Sequence, residues 1–77
     1  MANILAKDFV LVWRCLLQFH DGLTPAQVAA KTPELGDTDK ARDGNARRCL
    51  ASLVYEGFVY FDTEDNRYRA NEIWTEL

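Results

Sequence analysis

The chain has 77 residues, 48% of them hydrophobic and 27% charged, with a formal net charge of −3. This is one small domain of ordinary globular composition, near the lower size limit for folding without staples. The acidic balance excludes a histone-like protein held to nucleic acid by bulk positive charge, though not a local basic patch.

Two cysteines, Cys15 and Cys49, and the single His20 make neither a disulfide framework nor a zinc set, so no metal or cofactor is expected. Arg14 and Gln18 interrupt the apolar run that starts at Phe9, and no small-residue cleavage site follows. The run is also well short of the roughly 18 apolar residues of a membrane span. A cytoplasmic protein with reduced thiols and no membrane contact is the expectation.

The first element is a helix from about Lys7 to His20, ended by Asp21-Gly22 with Gly22 as a left-handed cap. Phe9, Val12, Trp13, Leu16 and Phe19 recur at three- and four-residue steps. Val10, Leu11 and Cys15 extend the apolar surface around the sides, which predicts burial on more than one face. A strand over Phe9 to Trp13 competes, but the length favours a helix.

The second helix has the clearest start. Thr24 is a good N-cap, Pro25 suits the first helical position, and Gln27 completes a capping box, with Leu23 and Val28 placed as a hydrophobic staple. It is short, Pro25 to about Lys31, because Pro33 disfavours helical geometry at Thr32. A polar turn region follows through Asp39. The stretch from Pro33 to Asp43 is expected to be mobile.

The third helix starts between Thr38 and Asp43, with Gly44 blurring the boundary. From Asn45 the pattern is firm: Ala46, Cys49, Leu50, Leu53 and Val54 share one face, and Gly57 caps the end. The period then changes. Phe58 to Asp62 is β-branched and aromatic, Thr63 to Asn66 is turn chemistry, and Arg67 to Ala70 alternates, so the segment reads as a β-hairpin. In the tail, Ile73, Trp74 and Leu77 suit one helical turn over the core, capped by Asn71. The predicted core comprises Leu16, Phe19, Val28, Leu50, Leu53, Val54, Val59 and Tyr68.

The order of elements resembles the winged helix-turn-helix DNA-binding domains. The resemblance is densest at Arg48-Cys49-Leu50-Ala51-Ser52-Leu53-Val54-Tyr55-Glu56-Gly57-Phe58-Val59, which is similar to the family's Arg-x-Leu-x-x-Leu-x-x-x-Gly-apolar-Val. Leu23-Thr24-Pro25-Ala26-Gln27-Val28-Ala29 looks like its Leu-Thr-x-x-(Glu/Gln)-Val-Ala opening, and Arg67-Tyr68-Arg69 like the return strand of a wing. Domains of the isocitrate-lyase-regulator type are among the nearest in pattern. The resemblance implies an α+β fold, a winged helix made of a three-helix bundle with a C-terminal β-hairpin wing. One domain would fill residues 1 to 77, with its core at about 7 to 71 and a short turn at 72 to 77. Between Ala30 and Arg48 the chain has several more residues than the family's tight turn.

The implied function is a small transcriptional regulator that lays its third helix in the major groove of double-stranded DNA, with the wing beside it. The candidate contact residues are Lys40, Arg42, Asn45, Arg47, Arg48, Ser52, Arg67 and Arg69. In residues 38 to 61, Lys40, Arg42, Arg47 and Arg48 outnumber Asp39, Asp43 and Glu56 by one, whereas residues 62 to 77 sum to −3. Arg47 and Arg48 read as a phosphate clamp or a base reader, or as a solvated helix face. Asn45 reads as an adenine contact or a helix-start residue, with Ser52 on the same exposed side. Arg67 and Arg69 share one strand face, as a grip on the phosphate backbone or as edge protection.

The acidic Asp62, Glu64 and Asp65 at the hairpin tip favour a second possibility, a protein-interaction module. It would be a small adaptor or inhibitor of the sort phages and mobile elements encode. The apolar excess of helix 1 predicts a homodimer through that helix. No paired-carboxylate, metal or phosphate-loop pattern occurs, so an enzyme is not expected.

Overall fold

The computed structural model describes residues 6 to 75, without the side chains of 74 and 75. It is an α+β arrangement of three helices and one antiparallel hairpin: α1 (Ala6–Gln18), α2 (Pro25–Lys31), α3 (Asp39–Tyr55), β1 (Val59–Asp62) and β2 (Arg67–Ala70). No helix among the described residues is long and apolar enough to cross a membrane.

Local chemistry sets the boundaries. The Thr24 hydroxyl accepts from the Gln27 amide (3.2 Å) and the Gln27 side chain accepts from the Thr24 amide (2.9 Å), a reciprocal capping box with Pro25 at the first helical position. Thr38 caps α3 by accepting from the Ala41 amide at 3.1 Å. At the other end the Gly57 amide donates to Val54 and the Phe58 amide to Leu53, the paired bonds of a left-handed glycine cap, with Gly57 at φ 85°.

α1 stops at Gln18, short of the expected His20, and Gly22 closes the turn after it at φ 88°, where a side chain is strained. A Cβ there would also sit 2.9 Å from Arg69 Nη1 and 3.0 Å from Arg67 Cβ. The turn is therefore packed directly against β2, and Leu23 exchanges backbone hydrogen bonds with Tyr68 (3.0 and 2.8 Å) as a one-residue third strand. The hairpin pairs Val59 with Ala70 and Asp62 with Arg67, and Asn66 takes the positive φ (58°) that its four-residue turn requires.

The core gathers Val12, Cys15 and Leu16 of α1, Leu23, Val28 and Ala29 around α2, Ala46, Cys49, Leu50 and Leu53 of α3, and Val59 and Ala70 of the hairpin. Tyr68 packs against it half-buried. Two expected core residues lie at the surface instead. Phe19 falls past the end of α1 and is 37% exposed, its ring covered by the Lys31 ammonium 4.2 Å from the centroid. Val54 is 38% exposed because it stands at the margin of the α3 face centred on Ala46, Cys49, Leu50 and Leu53.

The segment expected to be mobile is folded. Pro33–Leu35 makes a 3-10 turn that drives Leu35 into the core (4% exposed), and Thr32, also buried, donates its hydroxyl to the Val28 carbonyl at 2.7 Å. The expected C-terminal turn forms over Glu72–Thr75 with the Asn71 side chain accepting from the Ile73 amide (3.4 Å). However, Ile73 is 59% exposed and does not cover the core. The side chain of Trp74, and Leu77, lie outside the described residues.

On α1, Val12, Cys15 and Leu16 are buried, Phe9, Leu11, Trp13 and Leu17 are partly covered by the chain itself, and Val10 is 47% exposed.

Burial, with a smaller contribution from the nearby Asp8 carboxylate, pushes the Cys49 thiol up from 9.0 to about 11. The folded state then keeps a proton that the unfolded chain releases above about pH 9. Stability is whole below that pH and falls as pH rises towards 11, at up to about 1.4 kcal/mol per unit. Urea titrations of the parent and of Cys49→Ala between pH 8 and 11 should show a steeper alkaline decline in the parent. Parallel declines would rule out this linkage.

Candidate nucleic-acid interface

α3 buries one side and presents the other. At about 100° per residue, Ala46, Cys49, Leu50 and Leu53 cluster on the core side, while Lys40, Gly44, Arg47, Arg48, Ala51 and Tyr55 fall on the opposite half. Tyr55 is 87% exposed. The helix carries four cations against Asp39 and Asp43, in a chain that is acidic as a whole.

The eight candidate contact residues separate by what their side chains touch. Lys40 and Arg48 are exposed, and neither has an acidic partner among the described residues. With Thr38, Ala41, Gly44 and Asn45 they line a shallow depression on the outer face of α3. Arg47 is exposed but its Nε donates to Asp43 at 2.9 Å. That hydrogen bond and the Asp43 charge hold its guanidinium above the ordinary arginine pKa, and Tyr68 of β2 adds a smaller push in the same direction. On the hairpin, Phe61 and Tyr68 pack at a tilt across the strands, centroids 4.9 Å apart, with Phe61 41% exposed. Ser52 is exposed on α3, and Arg67 is half-buried with no ion pair among the described residues.

Three of the eight are committed inside the molecule. Arg69 does not point outward with Arg67 as the strand alternation predicts. Its side chain is 21% exposed and reaches Asp65 at 2.5 Å, Asp62 at 3.6 Å and the Asp21 carbonyl at 3.0 Å. Within the hairpin, the acidic tip encloses this guanidinium and ties it to the α1–α2 turn. Arg42 bonds the Gly36 carbonyl at 2.9 Å and pairs with Asp39. Asn45 donates to the Leu35 carbonyl at 2.6 Å. The last two bonds explain why the Pro33 to Asp43 stretch is folded.

Two features escape sequence reasoning. Leu35 is a lone apolar residue in a polar run, although Pro33 and Gly36 on either side signal a tight turn. Gly44 reads in the sequence only as a blurred helix boundary, yet it lies on the outer face of α3 with open space around it.

A second surface is apolar. Phe9, Val10 and Trp13 of α1, with Leu53 and Phe58, line a groove on the α1 side of the molecule. Trp13 packs edge-on to Phe58 at 6.0 Å, and its indole Nε1 is buried without a hydrogen-bond acceptor among the described residues.

No family model, curated protein or solved structure matches the chain.

Proposed function

We propose that this chain is a duplex-DNA-binding protein of the winged-helix type, acting as a small transcriptional regulator. In this reading α3 lies in the major groove and the hairpin rests beside it as the wing. The observation that carries the reading is the outer face of α3, where Lys40 and Arg48 stand exposed without acidic partners among the described residues, flanking a depression, in a protein of net charge −3. An acidic protein gains no nucleic-acid affinity from bulk charge, so cations kept clear of its carboxylates on one helix face are the available electrostatic footprint. Arg47 extends that footprint, and exchange of its Asp43 partner for a phosphate restores a charge-assisted bond. Arg69 takes a structural role in this reading, fixing the wing against the α1–α2 turn. Anisotropy of a labelled random-sequence duplex, titrated with the protein at several salt concentrations, tests the proposal. Saturable binding that weakens with salt is expected, and no binding at low salt would refute it.

The apolar groove favours a second reading, a homodimer closed through α1. A two-fold pair closed there would cover Val10 and Phe9, and it would place two α3 helices on one duplex if DNA is also bound. Sedimentation at tens of micromolar decides this reading: a dimer is its expected result, and a clean 8.8 kDa species eliminates it.

A further inference from the structure

Gly44 sits inside α3, five residues past its start, where glycine costs about 1 kcal/mol relative to alanine. Nothing in the fold asks for it. Its backbone is helical rather than left-handed, and a Cβ built there meets no heavy atom within 4 Å. Gly22, by contrast, needs both its positive φ and the space against β2. The missing side chain at position 44 leaves the helix backbone bare at the middle of the depression lined by Thr38, Lys40, Ala41, Asn45 and Arg48. Lys40 and Arg48 stand one turn before and one turn after it, about 6 Å away along the axis, each without an acidic partner among the described residues.

We infer that Gly44 is the floor of a seat for a backbone phosphate of duplex DNA, gripped from either side by Lys40 and Arg48. The inference rests on the DNA-binding reading and deepens it by naming the atoms bound and the residue that admits them. Glycine is the residue that lets a ligand approach a backbone most closely. Two cations flanking such a flat spot converge on one phosphodiester without first crossing a side chain. A Cβ at position 44 would lift the phosphate away from both, lengthening two charge-assisted bonds together. The internal pairs of Arg42 with Asp39 and Arg47 with Asp43 leave the other cations of α3 partly satisfied, so Lys40 and Arg48 dominate the local field.

The test uses Gly44→Ala and Gly44→Leu in the full chain. Alanine and leucine are both better helix formers than glycine, and a Cβ at position 44 meets no heavy atom within 4 Å, so both variants should melt at or above the parent temperature. Affinity for a random-sequence duplex should fall in the order parent, Ala, Leu, with the salt slope of the Leu variant reduced by about one for each phosphate it no longer neutralises. More stable variants that bind DNA less well are a combination that a purely structural glycine does not produce. If the parent binds the duplex and both variants bind equally well, the seat is refuted while the DNA reading stands. If the parent binds no duplex, both fail. If millimolar inorganic phosphate shifts the Thr38 to Arg48 amides as strongly as the duplex does, the ligand is a free anion and the assignment to DNA is overturned.

Discussion

Leu50→Ala should destabilise the domain by about 2–5 kcal/mol. Leu50 is fully buried in α3, in the cluster where that helix meets α1, α2 and the hairpin. Its truncation removes transfer free energy and leaves a cavity that Val12, Leu16 and Val28, themselves at most 1% exposed, have little freedom to fill. A chain of this size has on the order of 4–12 kcal/mol in total, at roughly 0.05–0.15 kcal/mol per residue. One substitution therefore removes a large part of it. Urea unfolding followed by tryptophan fluorescence measures the change. Leu50→Met, which nearly conserves volume, should cost less than about 1.5 kcal/mol. A cost below about 0.5 kcal/mol for the alanine variant, far under the usual range, would place Leu50 outside the core.

The second large effect is electrostatic. If Lys40 and Arg48 share one phosphate, each alanine variant should lower the slope of log K against log salt by up to about one, and the double variant by about one in all. The double variant should bind random-sequence duplex at near-background strength, because non-specific binding comes almost wholly from such charge neutralisation. Both residues are exposed on α3, so the variants should keep the parent's stability within about 0.5 kcal/mol. Arg14→Ala is the control: it removes an exposed cation from α1, on another element, and should leave the slope unchanged. Equal slopes for all three variants and the parent would mean that α3 carries no special role.

The fold is legible wherever local chemistry and hydrophobic period agree. Thr24, Pro25 and Gln27 mark α2 to the residue, because a capping box is a short-range pattern whose partners are fixed by sequence spacing. The same holds for Gly57 as the end of α3 and for Asn66 in the hairpin turn, whereas α1 stops at Gln18, short of the His20 and Gly22 end that the sequence suggests. What the sequence conceals is set by partners distant along the chain. Arg69 shares a strand face with Arg67 and reads as exposed with it, but three groups from Asp21, Asp62 and Asp65 draw it inward. Phe19 fits the period of α1, yet the helix stops before it and Lys31 of α2 supplies its cover.

The candidate site is legible in part. Counting residues along α3 places Lys40, Arg47 and Arg48 outside the core. That Arg42 and Asn45 turn back to Gly36 and Leu35 depends on the 3-10 turn, which one apolar residue in a polar stretch does not announce. The importance of Gly44 depends on the same geometry, since open space beside a glycine is a property of its neighbours in three dimensions.

Amide chemical-shift mapping of the whole chain, titrated with a random-sequence DNA duplex at low salt, locates the DNA contact residue by residue. If α3 and the hairpin hold the duplex, shifts concentrate on Thr38 to Ser52 and on the hairpin, with Val10 and Trp13 unmoved. Shifts confined to the groove lined by Phe9, Val10, Trp13 and Phe58, or no shifts at all, would contradict that reading.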